Sequence, residues 1–208
     1  MKKNMTELVF ILDASGSMHG LENDTIGGFN SILNRQRELD GLAYVSTVLF
    51  NTRSTVLHDR LPLQNVSNMT QNDYRVGGGT ALLDAIGNAI RHIETIHKYA
   101  RPEDVPEHTL FFITTDGMEN ASQQYSHSAI KQMIRKHEEM DGWEFLFVAA
   151  NIDATAAAQE IGIRAERAAN YQSTSKGTHR LYDTVNAAIS ELRCNAYIQR
   201  DWADNLSE

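Results

Sequence analysis

A chain of 208 residues, 41% hydrophobic and 22% charged, has the length and apolar content of one domain with its own core, which excludes a small scaffold in need of staples. Its formal net charge of −8 argues against a nucleic-acid partner held by phosphate neutralisation. A single cysteine, Cys194, excludes an internal disulfide framework and fits a reducing compartment.

The first seven residues, MKKNMTE, carry a basic tip, but the apolar run that follows is too short for a signal-peptide core. No run approaches the ~20 apolar residues of a membrane span. The expected setting is cytoplasmic, with no membrane partner. Residues 8–12 (LVFIL) read as a fully buried strand that ends at Asp13, where the polar cluster Asp13-Ala14-Ser15-Gly16-Ser17 begins. A carboxylate and two hydroxyls on one tight turn are all oxygen donors, the ligands a hard cation such as Mg²⁺ prefers, and the absence of Cys and His argues against zinc.

Residues 25–39 place Ile26, Phe29, Ile32, Leu33 and Leu39 on one side of a helix. Residues 42–50 are a strand, and 54–58 follow so closely, through Asn51-Thr52-Arg53, that only an antiparallel hairpin fits. Residues 61–76 lack a period, contain Pro62 and read as a loop, the most mobile approach to the site. After Gly77-Gly78-Gly79, the positions from Thr80 through Leu82, Leu83, Ile86, Ala89, Ile90, Ile93 and Ile96 predict the clearest amphipathic helix, ending before Pro102. A buried strand is expected over 109–115, leading into Asp116-Gly117. A helix over 126–140 carries Ile130, Met133, Ile134 and Met140, and a strand over 143–149 follows. Asp153 suits the N-cap of a short helix to residue 161, and 168–171 read as an edge strand. The final helix, about 176–199, has Leu181, Val185, Ala188, Ile189, Leu192 and Ala196 on its apolar stripe. The spacing predicts one domain over residues 1–200 and a frayed acidic tail over 201–208.

Strands alternating with helices predict an α/β fold: a doubly wound, mostly parallel sheet with one antiparallel edge strand and helices on both faces. In such sheets the ligand crevice lies beyond the carboxyl ends of the strands, where Asp13, Thr80 and Asp116 all fall. Taken singly, each has an ordinary reading: acidic strand ends for Asp13 and Asp116, turn formers for Ser15 and Ser17, a helix N-cap for Thr80.

Taken together, Asp13-x-Ser15-x-Ser17, Thr80 after a Gly pair, and Asp116-Gly117 resemble the metal-ion-dependent adhesion site (MIDAS) of von Willebrand factor type A (vWA) domains, with all five positions filled. The resemblance, from Glu7 to about the final helix, implies the Rossmann-like vWA strand order and a single-domain bacterial intracellular member. It also implies that Ser15 and Ser17 bind Mg²⁺ (or Mn²⁺) directly, Thr80 directly or through water, and Asp13 and Asp116 largely through water. The open position would then take an Asp or Glu carboxylate of a protein partner, in a multiprotein complex that could include an AAA+ ATPase.

Other signals carry less. Asp84 and Glu119 read as a first-turn helix charge and a solvated loop acid rather than ligands. His92 and His97 lie five apart, about 140° around a helix, too far for a zinc-protease pair, and read as surface residues. His19 reads as a solvated rim residue, and Cys194 as a small core or boundary residue. The competing function is a Mg²⁺-dependent phosphohydrolase using Asp13, with Arg75 as the one nearby base for phosphoryl charge; such chemistry wants a second acid where Ser15 stands. A third reading is a scaffold with a structural or vestigial site. The expectation is a binding module, not an enzyme.

Overall fold

The computed structural model describes residues 2–206. Strands β1 (Lys2–Asp13), β2 (Leu42–Phe50), β3 (Ser54–Pro62), β4 (Pro106–Thr115), β5 (Glu144–Ala149) and β6 (Ala168–Asn170) form a six-stranded sheet in the order β3-β2-β1-β4-β5-β6. All pairings are parallel except β2 with β3, the hairpin that the three-residue link required. The helices are α1 (Glu22–Arg37), α2 (Leu82–Tyr99), α3 (His127–Asp141), α4 (Ala154–Glu160) and α5 (Ser175–Asn195).

The unbroken apolar run in β1 follows from burial on both sides, because alternate side chains leave opposite faces of a strand. Leu8, Phe10 and Leu12 pack with Phe29 and Ile32 of α1 and Leu181 and Val185 of α5. Val9 and Ile11 pack with Ile86 and Ile90 of α2 and Ile130 and Ile134 of α3. Two helices therefore lie on one face and three on the other. On the first face α1 and α5 come so close that a Cβ on Gly28 would sit 2.2 Å from the Tyr182 ring. Asp153 and Ser126 cap α4 and α3, accepting from the amides of Ala156 and Ala129.

Several expectations at the edges of elements need correction. Met140 is 75% exposed rather than on the packed stripe of α3, where His137 takes the last buried position. Ala196 is an exposed left-handed cap after α5 (φ 67°), and Cys194 is exposed as well. The residues after Leu61 do not form a loose loop. β3 continues to Pro62, and Val66, Met69 and Tyr74 are buried, with both amide atoms of Asn30 holding the backbone of Met69. The acidic tail does not fray as far as residue 206: Trp202 and Leu206 are buried in the α1/α5 core, and the indole donates to the Glu166 carbonyl. Residues 207 and 208 lie outside the described residues. Those two apolar side chains outweigh the acidic composition that suggested a tail.

Candidate metal centre

The chain winds outward from β1 to β2 on one side and from β4 to β6 on the other, so the crevice between the ends of β1 and β4 is a topological switch point. Asp13 is the last residue of β1, and Asp116 directly follows β4. Backbone hydrogen bonds join the loops there. Gly16 N–H donates to the Gly78 carbonyl at 3.1 Å, Gly77 N–H to that of Ala14 at 2.9 Å, and Asn120 N–H to that of Thr80 at 3.1 Å. Glycine is required at position 78, which has φ +78° and where a Cβ would meet Thr52 Oγ1 at 2.6 Å.

Asp13 is fully buried. Its Oδ1 accepts from Ser15 N–H at 2.7 Å, and its Oδ2 from Thr115 Oγ1–H at 2.6 Å and Asp116 N–H at 3.4 Å. Tyr74 donates its hydroxyl to the Asp13 carbonyl. The two serine hydroxyls are 3.0 Å apart, and Ser17 Oγ donates to Asp116 Oδ1. Thr80 joins from the other side: a Cβ on Gly117 would lie 3.5 Å from Ser17 Oγ and 3.9 Å from Thr80 Oγ1. The five residues singled out in the sequence thus converge on one spot, with Ser17 exposed and the other four buried.

The electrostatics are unbalanced. Burial raises the Asp116 carboxyl above its ordinary range, against the Ser17 hydrogen bond and with a further push from the Asp13 charge. Asp116 Oδ2 is buried without a hydrogen-bond partner among the described residues. Such an oxygen is costly unless something occupies its lone pairs. A cation behind hydroxyls and two carboxylates fits that requirement, so the residues present suit a hard divalent ion. Among the described residues no three His, Cys, Asp or Glu gather as ligands.

The ordinary reading of Thr80 as a helix cap does not describe its position. Helix α2 begins at Leu82; Glu119 Oε2 takes the Leu83 amide and Ser122 Oγ that of Asp84, while Asn120 Oδ1 takes the Thr80 amide at 2.9 Å. These contacts leave the Thr80 hydroxyl free of a capping duty. They also revise Asp84 and Glu119, which are not a solvated acid and a simple first-turn charge. The Asp84 oxygens accept from the amides of Gln123, Gln124 and Tyr125, and Glu119 Oε1 from those of Ala121 and Ser122. Together they pin the loop that carries Asp116 to the start of α2. His19 is an exposed rim residue bonded to Glu22, and Arg75 is exposed and donates to the Asn72 carbonyl.

The two helix histidines are far from this rim. His92 is exposed and bonds Asp59 at 2.6 Å. His97 is only 11% exposed at its side chain, so it is not a surface residue: it sits edge-on to Trp143 with Nε2 3.5 Å from the buried Glu7.

Fold and site geometry define a vWA-type domain. Residues 1–140 match the family described as VWA domain containing CoxE-like protein, and the chain belongs to that family. No curated protein matches the sequence. Similar solved structures include the D319A mutant of the PilB minor pilin from Streptococcus sanguinis, with 11% identity and TM-score 0.62 over 93% of this chain and 63% of the pilin. Another is the von Willebrand factor type A protein from Catenulispora acidiphila, at 14% identity and TM-score 0.57 over 90% of this chain and 42% of that one. A third is proximal thread matrix protein 1 from the mussel byssus with a zinc-occupied MIDAS motif, at 16% identity and TM-score 0.58 over 89% of this chain and 46% of that one. The chain therefore spans less than two thirds of the length of each, and at these identities the likeness is one of fold. No helix among the described residues is long and apolar enough to cross a membrane.

Proposed function

We propose that this chain is a divalent-cation-dependent protein-binding module with a complete MIDAS, in which Asp13, Ser15, Ser17, Thr80 and Asp116 hold Mg²⁺ (or Mn²⁺). The observation that carries the reading is Asp116: a buried carboxylate with one oxygen unpartnered and only neutral hydrogen-bond partners around it. The ion, when bound, supplies an electron-poor outward position that an Asp or Glu carboxylate of a partner protein fills. The protein's own part is positioning. Asp13 holds the first loop through Ser15 N–H and ties it to β4 through Thr115. Asn120 and Glu119 set the third loop against Thr80 and α2. A bacterial, cytoplasmic setting and a place in a multiprotein complex, with an AAA+ ATPase as one candidate member, belong to the same reading, and the lone cysteine fits a reducing compartment.

Asp13 is poorly placed for phosphohydrolase chemistry. It is 1% exposed, and both its oxygens accept from the protein's own N–H and O–H groups, which fix it as a support of the loop and keep a phosphorus atom from reaching it for in-line attack. Calorimetric titration of Mg²⁺ into metal-free protein tests the proposal. Binding is expected in the wild type and absent from the Ser15→Ala/Ser17→Ala variant, with partner capture lost in EDTA. Partner capture unchanged by EDTA and by the double variant would instead describe a scaffold. Hydrolysis of a generic phosphate ester that vanishes in Asp13→Asn would describe an enzyme.

A further inference from the structure

Beside the candidate metal centre, between the β2–β3 turn and the first turns of α2, lies a pocket of about 470 Å³. Thr52, Arg53, Ala81, Asn88, Gln123 and Gln124 are among the residues that line it. It adjoins the ion site directly: Thr52 Oγ1 accepts from Gly79 N–H at 2.9 Å, and Ala81 follows Thr80 in the chain. Gly79 stands at the threshold. A Cβ there would lie 2.8 Å from Asn120 Oδ1 and 3.2 Å from the Ala121 methyl, so a side chain would press against the third loop beside the pocket.

The pocket carries one charge of each sign, and only one of them is free to pair. Asp84 faces it, but its two oxygens are taken by the amides of Gln123, Gln124 and Tyr125. Arg53 is exposed and lines the pocket; its backbone N–H donates to Asn51 Oδ1, and its guanidinium pairs with no acid among the described residues. The side-chain amides of Gln123 and Gln124 are likewise without hydrogen-bond partners among the described residues, so the pocket presents a free cation and free N–H donors. The first amides of α2 are occupied by Glu119 and Ser122, which leaves no cluster of backbone N–H groups of the kind that favours a phosphate. A lone Arg fork suits a carboxylate.

We infer that the partner segment carries two acids, one for the ion site and a second, two or three residues further along, that Arg53 reads in the adjoining pocket. This rests on the metal-docking reading above and adds to it the chemistry of the partner. An extended segment advances roughly 3.3–3.6 Å per residue, so an acid two or three residues on lies about 7–11 Å from the first, within a neighbouring pocket rather than at the ion. Because Arg53 is solvent-exposed, its pairing serves selection more than affinity, with an expected gain of about threefold to fivefold.

The test is an NMR titration of ¹⁵N-labelled protein in Mg²⁺ with three capped, glycine-rich peptides. One has a single Asp, one an added Glu two residues on, and one the Glu eight residues on. The near-Glu peptide is expected to bind about threefold to fivefold tighter than the other two and to move the Arg53 Nε–H resonance. In Arg53→Gln that advantage should fall to about onefold. Equal affinity of the near and far peptides in the wild type, or an advantage that survives Arg53→Gln, would overturn the inference while leaving the ion site intact. If none of the peptides moves the amides of Ser15, Ser17, Thr80 and Asp116 in Mg²⁺, the metal-docking reading falls, and the second acid with it.

Discussion

The two ends of the sheet bury acids in opposite ways. At the amino end of the strands, Glu7 is 0% exposed and its Oε1, like Asp116 Oδ2, lacks a hydrogen-bond partner among the described residues, yet its Oε2 takes Arg60 Nε at 2.8 Å with His97 Nε2 at 3.5 Å. Glu144 at the start of β5 likewise meets Arg167 at 3.0 Å and Arg164 at 3.5 Å. At the carboxyl end Asp13 and Asp116 are as deeply buried, and their hydrogen-bond partners among the described residues are all neutral. Buried charge is normally compensated by a protein cation, so the end that lacks one is the end that expects a cation from outside. The amino end pairs its acids with the chain's own cations, and on the proposed reading the carboxyl end takes its cation from outside.

The comparison breaks most visibly at Asp116. Replacing it with Ala should abolish Mg²⁺-dependent partner capture, a loss of more than about 100-fold, while circular dichroism and the unfolding transition remain those of a folded protein. Global unfolding of this variant would place Asp116 with the structural acids. Next in size is the response to the ion itself: at about one hundred times its Kd, Mg²⁺ should stabilise the wild type by about 2.7 kcal/mol against urea. No such gain is expected in Ser15→Ala/Ser17→Ala. Arg60→Leu should cost the fold about 2 kcal/mol, less than a fully buried pair because the Arg side chain is 20% exposed, and should leave the Mg²⁺ titration unchanged. A shift in Mg²⁺ affinity there would mean the two ends are not independent.

The smallest expected effect has the most telling sign. Since burial raises the folded-state pKa of Asp116, the metal-free fold is favoured by the protonated acid below the unfolded carboxylate range and loses that contribution as pH rises through the raised value. Asp116→Asn should therefore stabilise the metal-free protein, on the order of 0.5–1 kcal/mol at neutral pH and by about nothing in acid, while removing Mg²⁺ binding. Urea midpoints at several pH values in EDTA check this. An Asn variant less stable than wild type at neutral pH would show that the carboxylate is already satisfied.

Much of this site was legible in the chain because its residues occur in short, ordered blocks at the ends of apolar runs. Asp13, Ser15 and Ser17 follow a strand that could be read from burial alone, and Thr80 and Asp116 sit where a helix and another strand change character. What the pattern hid was the support. Thr115 is adjacent to Asp116 in sequence, but its hydroxyl serves Asp13, across the β1–β4 pairing. Glu119, Asn120 and Asp84 act between the third loop and α2, over separations of 36 to 41 residues, and no local period reports such contacts. The end of the chain departs from its composition for a related reason. Charge dominates its composition, while its fate is decided by Trp202 and Leu206.

Cys194 has a practical consequence. It is the chain's single thiol, exposed at the last turn of α5, and helices in this fold run back toward the amino end of the strands. A maleimide tether at that position would fix every molecule to a sensor surface in one orientation, with the loops around Ser17 and Gly117 turned toward the solution.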